Sequence, residues 1–317
     1  MTPAPTMETL AQEYLTLRRQ LGFALHSTGQ HLLSFARFAD GLGHRGPITL
    51  ELAVRWARLP QRARPQWWAR RLQIVSGFAQ HRRLFEPDTE IPPTGLLGPH
   101  FRRATPHIYS NTEISALLRA AGEIGPAGGL RAHTHVTLFG LLFSSGLRIS
   151  EALHLGRDDV DLKNGVLTVM RTKFRKSRMV PLHPSTTRAL AGYVVHRDRL
   201  QSQAAARTFF LNDHGASVGV SGVTRTFGIL RRQLGWSKGR GGRLPLLHDM
   251  RHTMAVSTLL RWYQKGVDVD RKILALATYL GHVEIADTYW YLTAVPELMV
   301  LTAGRFQAYA RQSRGMR

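Results

Sequence analysis

The sequence predicts an α+β protein of two domains, and three observations support this prediction. A chain of 317 residues usually forms about two domains. Its first hundred residues or so show apolar side chains at helical spacing, whereas the later part inserts short alternating segments typical of strands. A segment rich in proline and glycine separates the two parts. We expect an all-helical domain at residues 1–90, a linker at 91–106, and a mainly helical domain with a small antiparallel sheet at 107–317.

The first domain is expected to contain four helices. Gly22 ends the first of them, and Pro65 is a favoured first-turn residue for the fourth. The expected bounds are Glu8 to Leu21, Ser27 to Asp40, Thr49 to Arg58, and Pro65 to Phe85. Four arginines in or before the last helix either belong to the helix surface and core or face phosphates, and the second interpretation is favoured: Arg62, Arg64, Arg70 and Arg71.

The second domain is expected to begin with a helix at Asn111 or Thr112, because Glu113 and an apolar run follow. A buried helix is expected at 133–143, broken by the SSG segment, and a short helix ISEALHL comes next. Alternating residues around Asn164-Gly165 predict a first hairpin, since Asn-Gly is a strong turn signal. A second hairpin has the basic turn TKFRKS and the return strand RMVPL. Helices then dominate to the end.

The charge balance of the chain points to a polyanionic partner. Lysine and arginine total 43 against 21 acidic residues, so the formal net charge is +22. Such an excess is typical of nucleic-acid binding, although a protein of generally basic composition has the same excess of positive charge. The chain has no cysteine, which excludes disulfides, thiolate nucleophiles and cysteine-based zinc fingers.

Six residues in five short motifs of the second domain are suited to chemistry on a phosphate. They are Arg148 in GLRISEAL, Lys173 in TKFRKSRMVPL, His248 and Arg251 in LLHDMRHTM, His282 in YLGH, and Tyr291 in ADTYWYLT. Cutting a DNA strand without a metal requires an in-line nucleophile, cations at the nonbridging oxygens, and a proton for the leaving oxygen. Two arginines, two histidines, a lysine and a tyrosine can supply these functions.

The two arginines suit stabilisation of the charge on the nonbridging oxygens, because a guanidinium is always charged and binds two phosphate oxygens with a planar fork. Arg148 begins a helix after a glycine turn, and Glu151 follows three residues later, where it can brace the arginine. A single arginine in this setting is weak evidence, since a surface arginine looks the same. The argument therefore rests on the whole set.

His248 and Arg251 are three residues apart on a predicted helix, so they share one face. One can act as acid or base while the other holds phosphate. The alternative is a histidine that only caps or packs the helix start. The neighbours Asp249 and His252 are expected on other faces and are given no chemical role.

The set of six residues, in this order, resembles the tyrosine recombinases of the phage integrase family, which includes the Xer and Cre recombinases. The resemblance is close over residues 107–293 and looser over the helical N-terminal part. It implies a SAM-like four-helix domain that clamps DNA, joined to a catalytic domain. It also implies that Tyr291 attacks the scissile phosphate and forms a 3′-phosphotyrosyl link, and that His282 bonds a phosphate oxygen. A turn histidine without function is the alternative for His282.

The family pattern decides between neighbouring candidates at two positions. The nine-residue step from His282 selects Tyr291 over Tyr289, and the two tyrosines differ by about 200° around a helix. Tyr289 is then expected to be a packing residue. Counting back from VPL places the lysine that protonates the leaving 5′-oxygen at Lys173. Lys176 and Arg175 lie in the same turn, which could instead only contact backbone phosphates.

The last amphipathic segment, which starts at Pro296, packs on its own domain or docks into a neighbouring protomer. The resemblance favours the neighbour, because reciprocal strand exchange needs four active sites. We therefore expect a homo-oligomer, a dimer on each site and a tetramer in the synapse, or assembly with related recombinases.

The sequence thus predicts a site-specific DNA recombinase or integrase that acts on double-stranded DNA without a metal, a cofactor or ATP. The segment TYWYLTAVPEL favours an integrase of a mobile element. Two alternatives are a type IB-like topoisomerase and a DNA-binding accessory factor without catalysis. No signal peptide or membrane span is expected, which favours a cytoplasmic, nucleoid-associated protein.

Overall fold

The computed structural model describes residues 5–99, 105–170, 177–239 and 242–294, with side chains up to residue 291. The chain divides into two compact units, Met1–Arg103 and Ala104–Arg317. Helices dominate both units, and the second unit also contains a small antiparallel sheet. The predicted α+β class is confirmed. The segment that starts at Pro296 lies outside the described residues.

Within its described residues, the first unit contains four helices close to the predicted positions. They are α1 (Met7–Gln20), α2 (His26–Gly41), α3 (Leu50–Ala57) and α4 (Pro65–Arg82). Threonine hydroxyls cap α1 and α3, where Thr6 and Thr49 accept backbone N–H bonds of the first turn. The apolar faces meet around buried aromatic side chains of α2, α3 and α4, namely Phe35, Trp56 and Phe78.

Arg71 belongs to the core of this unit. Its guanidinium carbon lies 3.7 Å from the centroid of the Trp56 ring, and its Nη2 donates to the Trp56 carbonyl at 2.8 Å. The expectation that Arg71 faces phosphates is therefore wrong for this residue. Arg62, Arg64 and Arg70 are exposed, and their contact with DNA stays a prediction.

The second unit contains the remaining elements in the order helix, sheet, helix. Its helices are α5 (Asn111–Gly122), α6 (Leu130–Ser145), α7 (Ile149–Leu153), α8 (Pro184–Leu200), α9 (Val220–Gln233), α10 (His248–Gln264), α11 (Val269–Leu280) and α12 (Ala286–Ala294). Its strands are β1 (Val160–Asp161), β2 (Val166–Val169) and β3 (Arg178–Pro181). Ser110 caps α5 in a reciprocal capping box with Glu113.

The sheet has the strand order β1-β2-β3, and both pairs are antiparallel. Gly165 adopts a φ of +67° in the predicted Asn-Gly turn between β1 and β2. Leu167 pairs with Val180 across β2 and β3, which confirms the predicted return strand. The basic turn between these strands, with Lys173, Arg175 and Lys176, lies outside the described residues.

Two apolar cores hold the described part of the second unit together. The larger one surrounds α6, which packs against α5, α8 and α10. The smaller one joins α10, α11 and α12, and Tyr291 is among its buried members. Among the described residues, no helix is both long and apolar enough to cross a membrane.

Candidate active site

Tyr291 lies on α12 with only 2% of its surface exposed. Its ring stacks on the His282 ring, with centroids 6.0 Å apart and an interplanar angle of 25°. The His252 ring meets it from another side at 5.4 Å and 64°. The predicted nucleophile is thus packed between two imidazoles. Tyr289 is 40% exposed, so the expectation that it is a packing residue is wrong.

Three arginines converge on the end of α11, directly before His282. Arg178 Nε donates to the carbonyl of residue 279 at 2.8 Å. Arg251 Nη2 donates to the Leu280 carbonyl at 2.7 Å. Arg148 Nη2 donates to the Gly281 carbonyl at 3.3 Å. The last carbonyls of a helix lack intrahelical partners and carry partial negative charge. The end of α11 therefore gathers both predicted phosphate-binding arginines beside the histidine and the tyrosine.

Arg251 is almost fully enclosed, at 2% exposure. Its Nη1 also donates to the Gly146 carbonyl at 2.7 Å. Burial and the nearby Arg148 lower the pKa of Arg251 to about 10, so the guanidinium is still a cation at neutral pH. Because two carbonyls hold it, its charge beside Tyr291 has a fixed position.

Glu151 joins Arg148 to Arg178. Its Oε1 accepts from Arg148 Nη1 at 2.7 Å, and its Oε2 accepts from Arg178 Nη2 at 2.8 Å. The backbone N–H of Arg148 also donates to Oε2 at 3.0 Å. Burial opposes ionisation of this carboxyl, but the bonds from Arg178 and Arg148 hold its pKa down at about 2. The predicted bracing of Arg148 by Glu151 is confirmed. The bond from Arg178 to Glu151 was not predicted.

His248 and His252 lie one turn apart on α10, and their ring centroids are 4.8 Å apart. The expectation that His252 lies on another face is therefore wrong, because residues four apart share a helix side. Asp249 does point elsewhere: it is fully buried and accepts two bonds from Arg243, at 2.6 and 2.9 Å. This pair supports the start of α10 and so the placement of His248.

The three histidines near Tyr291 are neutral at pH 7. Burial, together with the positive charge of Arg251, lowers the pKa of His248 and brings that of His282 to about 4. Burial and His248 bring the pKa of His252 to about 3. Burial raises the pKa of Tyr291, which Arg251 opposes. These histidines can therefore accept protons or donate neutral hydrogen bonds, and they add no positive charge at the tyrosine.

The structure brings five of the six predicted site residues into one cluster: Arg148, His248, Arg251, His282 and Tyr291. Lys173 lies outside the described residues. Among the described residues, no group of three or more histidine or acidic side chains could hold a metal ion. Sequence reasoning missed Arg178, His252 and Thr288, whose hydroxyl lies 2.7 Å from His282 Nδ1. Of these three residues, only His252 had a signal in the sequence: it follows His248 by four residues and so shares its helix side.

Comparison with known proteins identifies the family of this chain. Residues 110–297 match the phage integrase family. A Sinorhizobium fredii protein named as an integrase/recombinase, y4rB, is 45% identical over 298 residues, which cover 93% of this chain and 95% of the relative. The tyrosine recombinase XerC of Chlamydia caviae is 30% identical over 226 residues, covering 70% of this chain and 65% of XerC.

Solved structures share the fold at low identity. The Tn1549 transposon integrase in complex with transposon right-end DNA has a TM-score of 0.64 at 18% identity, over 90% of this chain and 94% of the integrase. The XerH site-specific recombinase bound to palindromic difH substrate has a TM-score of 0.65 at 16% identity, over 89% of this chain and 80% of XerH.

The fold and the residue cluster define an enzyme that breaks and rejoins DNA strands through a tyrosine. The chain belongs to the phage integrase family and is a tyrosine recombinase.

Proposed function

We propose that this chain is a site-specific recombinase of double-stranded DNA in which Tyr291 is the nucleophile. Its phenolic oxygen attacks the scissile phosphorus, forms a 3′-phosphotyrosyl bond and releases a 5′-hydroxyl. The hydroxyl of a partner strand then attacks the same phosphorus and frees the tyrosine. One observation carries the proposal: Tyr291 is packed against His282 in the cluster that holds the buried cation of Arg251.

Arg148 and Arg251 are proposed to bind the nonbridging oxygens of the phosphate. A pentacovalent phosphorane carries more charge on these oxygens than the ground state, so fixed cations favour the transition state. Both guanidinium groups are held by backbone carbonyls at the end of α11, which reduces the reorganisation needed during reaction. Arg148 keeps 30% of its side chain exposed, so a phosphate can reach its guanidinium.

Proton transfer is proposed to use neutral histidines and Lys173. The raised pKa of Tyr291 means that the phenol must lose its proton during attack. His248 is neutral at pH 7 and lies in the same cluster, so it can accept that proton. His282 is proposed to donate a hydrogen bond to a nonbridging oxygen. Lys173 is proposed to protonate the leaving 5′-oxygen, as its position before VPL in the family pattern implies.

Movement of a mobile element is the proposed biological role. The name of the y4rB relative and the fold shared with a transposon integrase bound to DNA support it.

A dimer on each site and a tetramer in the synapse are proposed, in line with a lambda integrase dimer bound to core-site DNA among the structural neighbours. The cell location proposed is the cytoplasm, in association with the nucleoid, and the helical first unit is proposed to clamp DNA.

A plasmid assay tests the function. A supercoiled plasmid carrying two copies of the DNA that flanks the gene is incubated with wild-type protein or Tyr291→Phe, and the products are separated by gel. Exchange between the copies by wild type alone is the expected result. Relaxation of plasmids without these copies would instead favour a topoisomerase. Tight binding without breakage would favour an accessory factor.

A further inference from the structure

Arg178 is bound more extensively than any role in the sheet requires. It begins β3, and its side chain is 8% exposed. It donates to both oxygens of Glu151, at 3.2 and 2.8 Å, and to the carbonyl of residue 279 at 2.8 Å. Its side chain therefore spans the sheet, α7 and the end of α11. Bidentate pairs of this kind are among the stronger hydrogen bonds in proteins.

Arg178 and Arg148 share Glu151 as a partner, and this shared partner connects Arg178 to the reaction. Glu151 is 6% exposed, and a buried carboxylate must be compensated by hydrogen bonds and positive charge. Two arginines now share that task. If Arg178 were absent, Arg148 would be the remaining arginine on Glu151 among the described residues, and its guanidinium would be held there in competition with a phosphate.

We propose that Arg178 is a positioning residue for the recombination reaction. Arg178 neutralises Glu151, so that the guanidinium of Arg148 is available to the scissile phosphate. The inference rests on the proposed function, because it assumes that Arg148 binds that phosphate. Arg178 itself does not need to touch the DNA.

A double-mutant cycle tests this role through single-turnover cleavage of a nicked substrate. Arg178→Gln is expected to slow cleavage by about 10²-fold, the size expected when a catalytic group is misplaced, with DNA affinity unchanged. In a Glu151→Gln background, the same change is expected to cost less than about threefold, because the competing carboxylate is gone. An equal loss in both backgrounds would overturn the proposal and leave Arg178 a structural residue.

The phosphate charge provides a second readout. A methylphosphonate at the scissile position removes one negative charge, so Arg148 is needed less. The cleavage defects of Arg178→Gln and Arg148→Ala are both expected to shrink on this substrate. A defect of Arg178→Gln that stays unchanged while that of Arg148→Ala shrinks would contradict action through Arg148.

Arg197 supplies the matched control. It is also a buried arginine that pairs with a carboxylate, Asp198 at 2.8 Å, and donates to a carbonyl, Phe209 at 3.2 Å. Arg197→Gln is expected to lower the melting temperature without slowing cleavage by the folded protein. If Arg178→Gln does not fold, Arg178→Lys replaces it in the same cycle. Loss of wild-type cleavage altogether would refute the proposed function, whereas an additive cycle with active wild type refutes only the role of Arg178.

Discussion

The Nδ1 atom of His282 lies 2.7 Å from the hydroxyl oxygen of Thr288. This bond ties the histidine after α11 to the helix that carries Tyr291, three residues further along the chain. Thr288 is fully buried, so water cannot replace it. If the hydroxyl donates to Nδ1, the proton of the neutral ring is on Nε2, which can then donate to a phosphate oxygen.

Replacing Thr288 by valine tests this orientation. Valine has nearly the same shape, but it leaves Nδ1 without a donor, so the ring loses its fixed tautomer. We expect cleavage to slow by about tenfold, a part of what a positioned hydrogen-bond donor to the transition state contributes, with DNA binding unchanged. Thr278→Val is the control, since that exposed hydroxyl only donates to the Leu274 carbonyl at 2.9 Å. Equal rates for both variants would show that His282 needs no orientation by Thr288.

The buried histidines predict how stability depends on pH. The unfolded chain binds a proton at His252 below about pH 6.5, whereas the folded protein resists protonation until about pH 3. The free energy of unfolding should therefore fall as the pH is lowered from 7 to 5, by at most about 2 kcal/mol for this residue. Urea unfolding of wild type and His252→Phe at both pH values measures it. We expect a smaller fall in the variant, and equal falls would contradict the assigned shift.

Gly281 and Gly266 form a matched pair for a backbone test. Both have left-handed φ angles, +69° and +71°, so alanine strains each by about 1 kcal/mol. A Cβ at Gly281 would lie 2.7 Å from Arg178 Nη1, whereas one at Gly266 has no neighbour within 4 Å among the described residues.

We expect Gly281→Ala to lose more unfolding free energy than Gly266→Ala, because it also disturbs the buried pair of Arg178 and Glu151. Only Gly281→Ala should also slow cleavage, by about tenfold or more, because it displaces Arg178 from Glu151. Thermal melts and single-turnover cleavage measure the two effects. Equal cleavage by Gly281→Ala and Gly266→Ala would mean that the site tolerates movement of Arg178.

The predictable part of this protein depended on local signals. Helix bounds followed from apolar spacing and from residues such as Pro65, and the first hairpin followed from Asn164-Gly165. The positions of Arg148, His248, Arg251, His282 and Tyr291 followed from motifs whose order is distinctive. Each of these signals is a short motif of neighbouring residues, so a single sequence carries it.

The rest depended on contacts between distant segments. Arg178 meets Glu151 and the end of α11 only because β3 pairs with β2 in one register, and no local pattern records that meeting. Arg71 looked like its exposed neighbours, but its position on α4 turns it onto Trp56. The missed role of His252 is different, because its spacing from His248 was visible and was misread.

Covalent trapping tests the central claim, that Tyr291 is the nucleophile, most directly. Nicked substrates from the flanking DNA would be incubated with wild type, Tyr291→Phe and Tyr289→Phe in the presence of EDTA. Tyr289 is the matched control, since it is exposed on the same helix. We predict a denaturation-resistant protein–DNA adduct with wild type and Tyr289→Phe, and none with Tyr291→Phe. An adduct that persists in Tyr291→Phe, or that disappears only in Tyr289→Phe, would contradict the assignment.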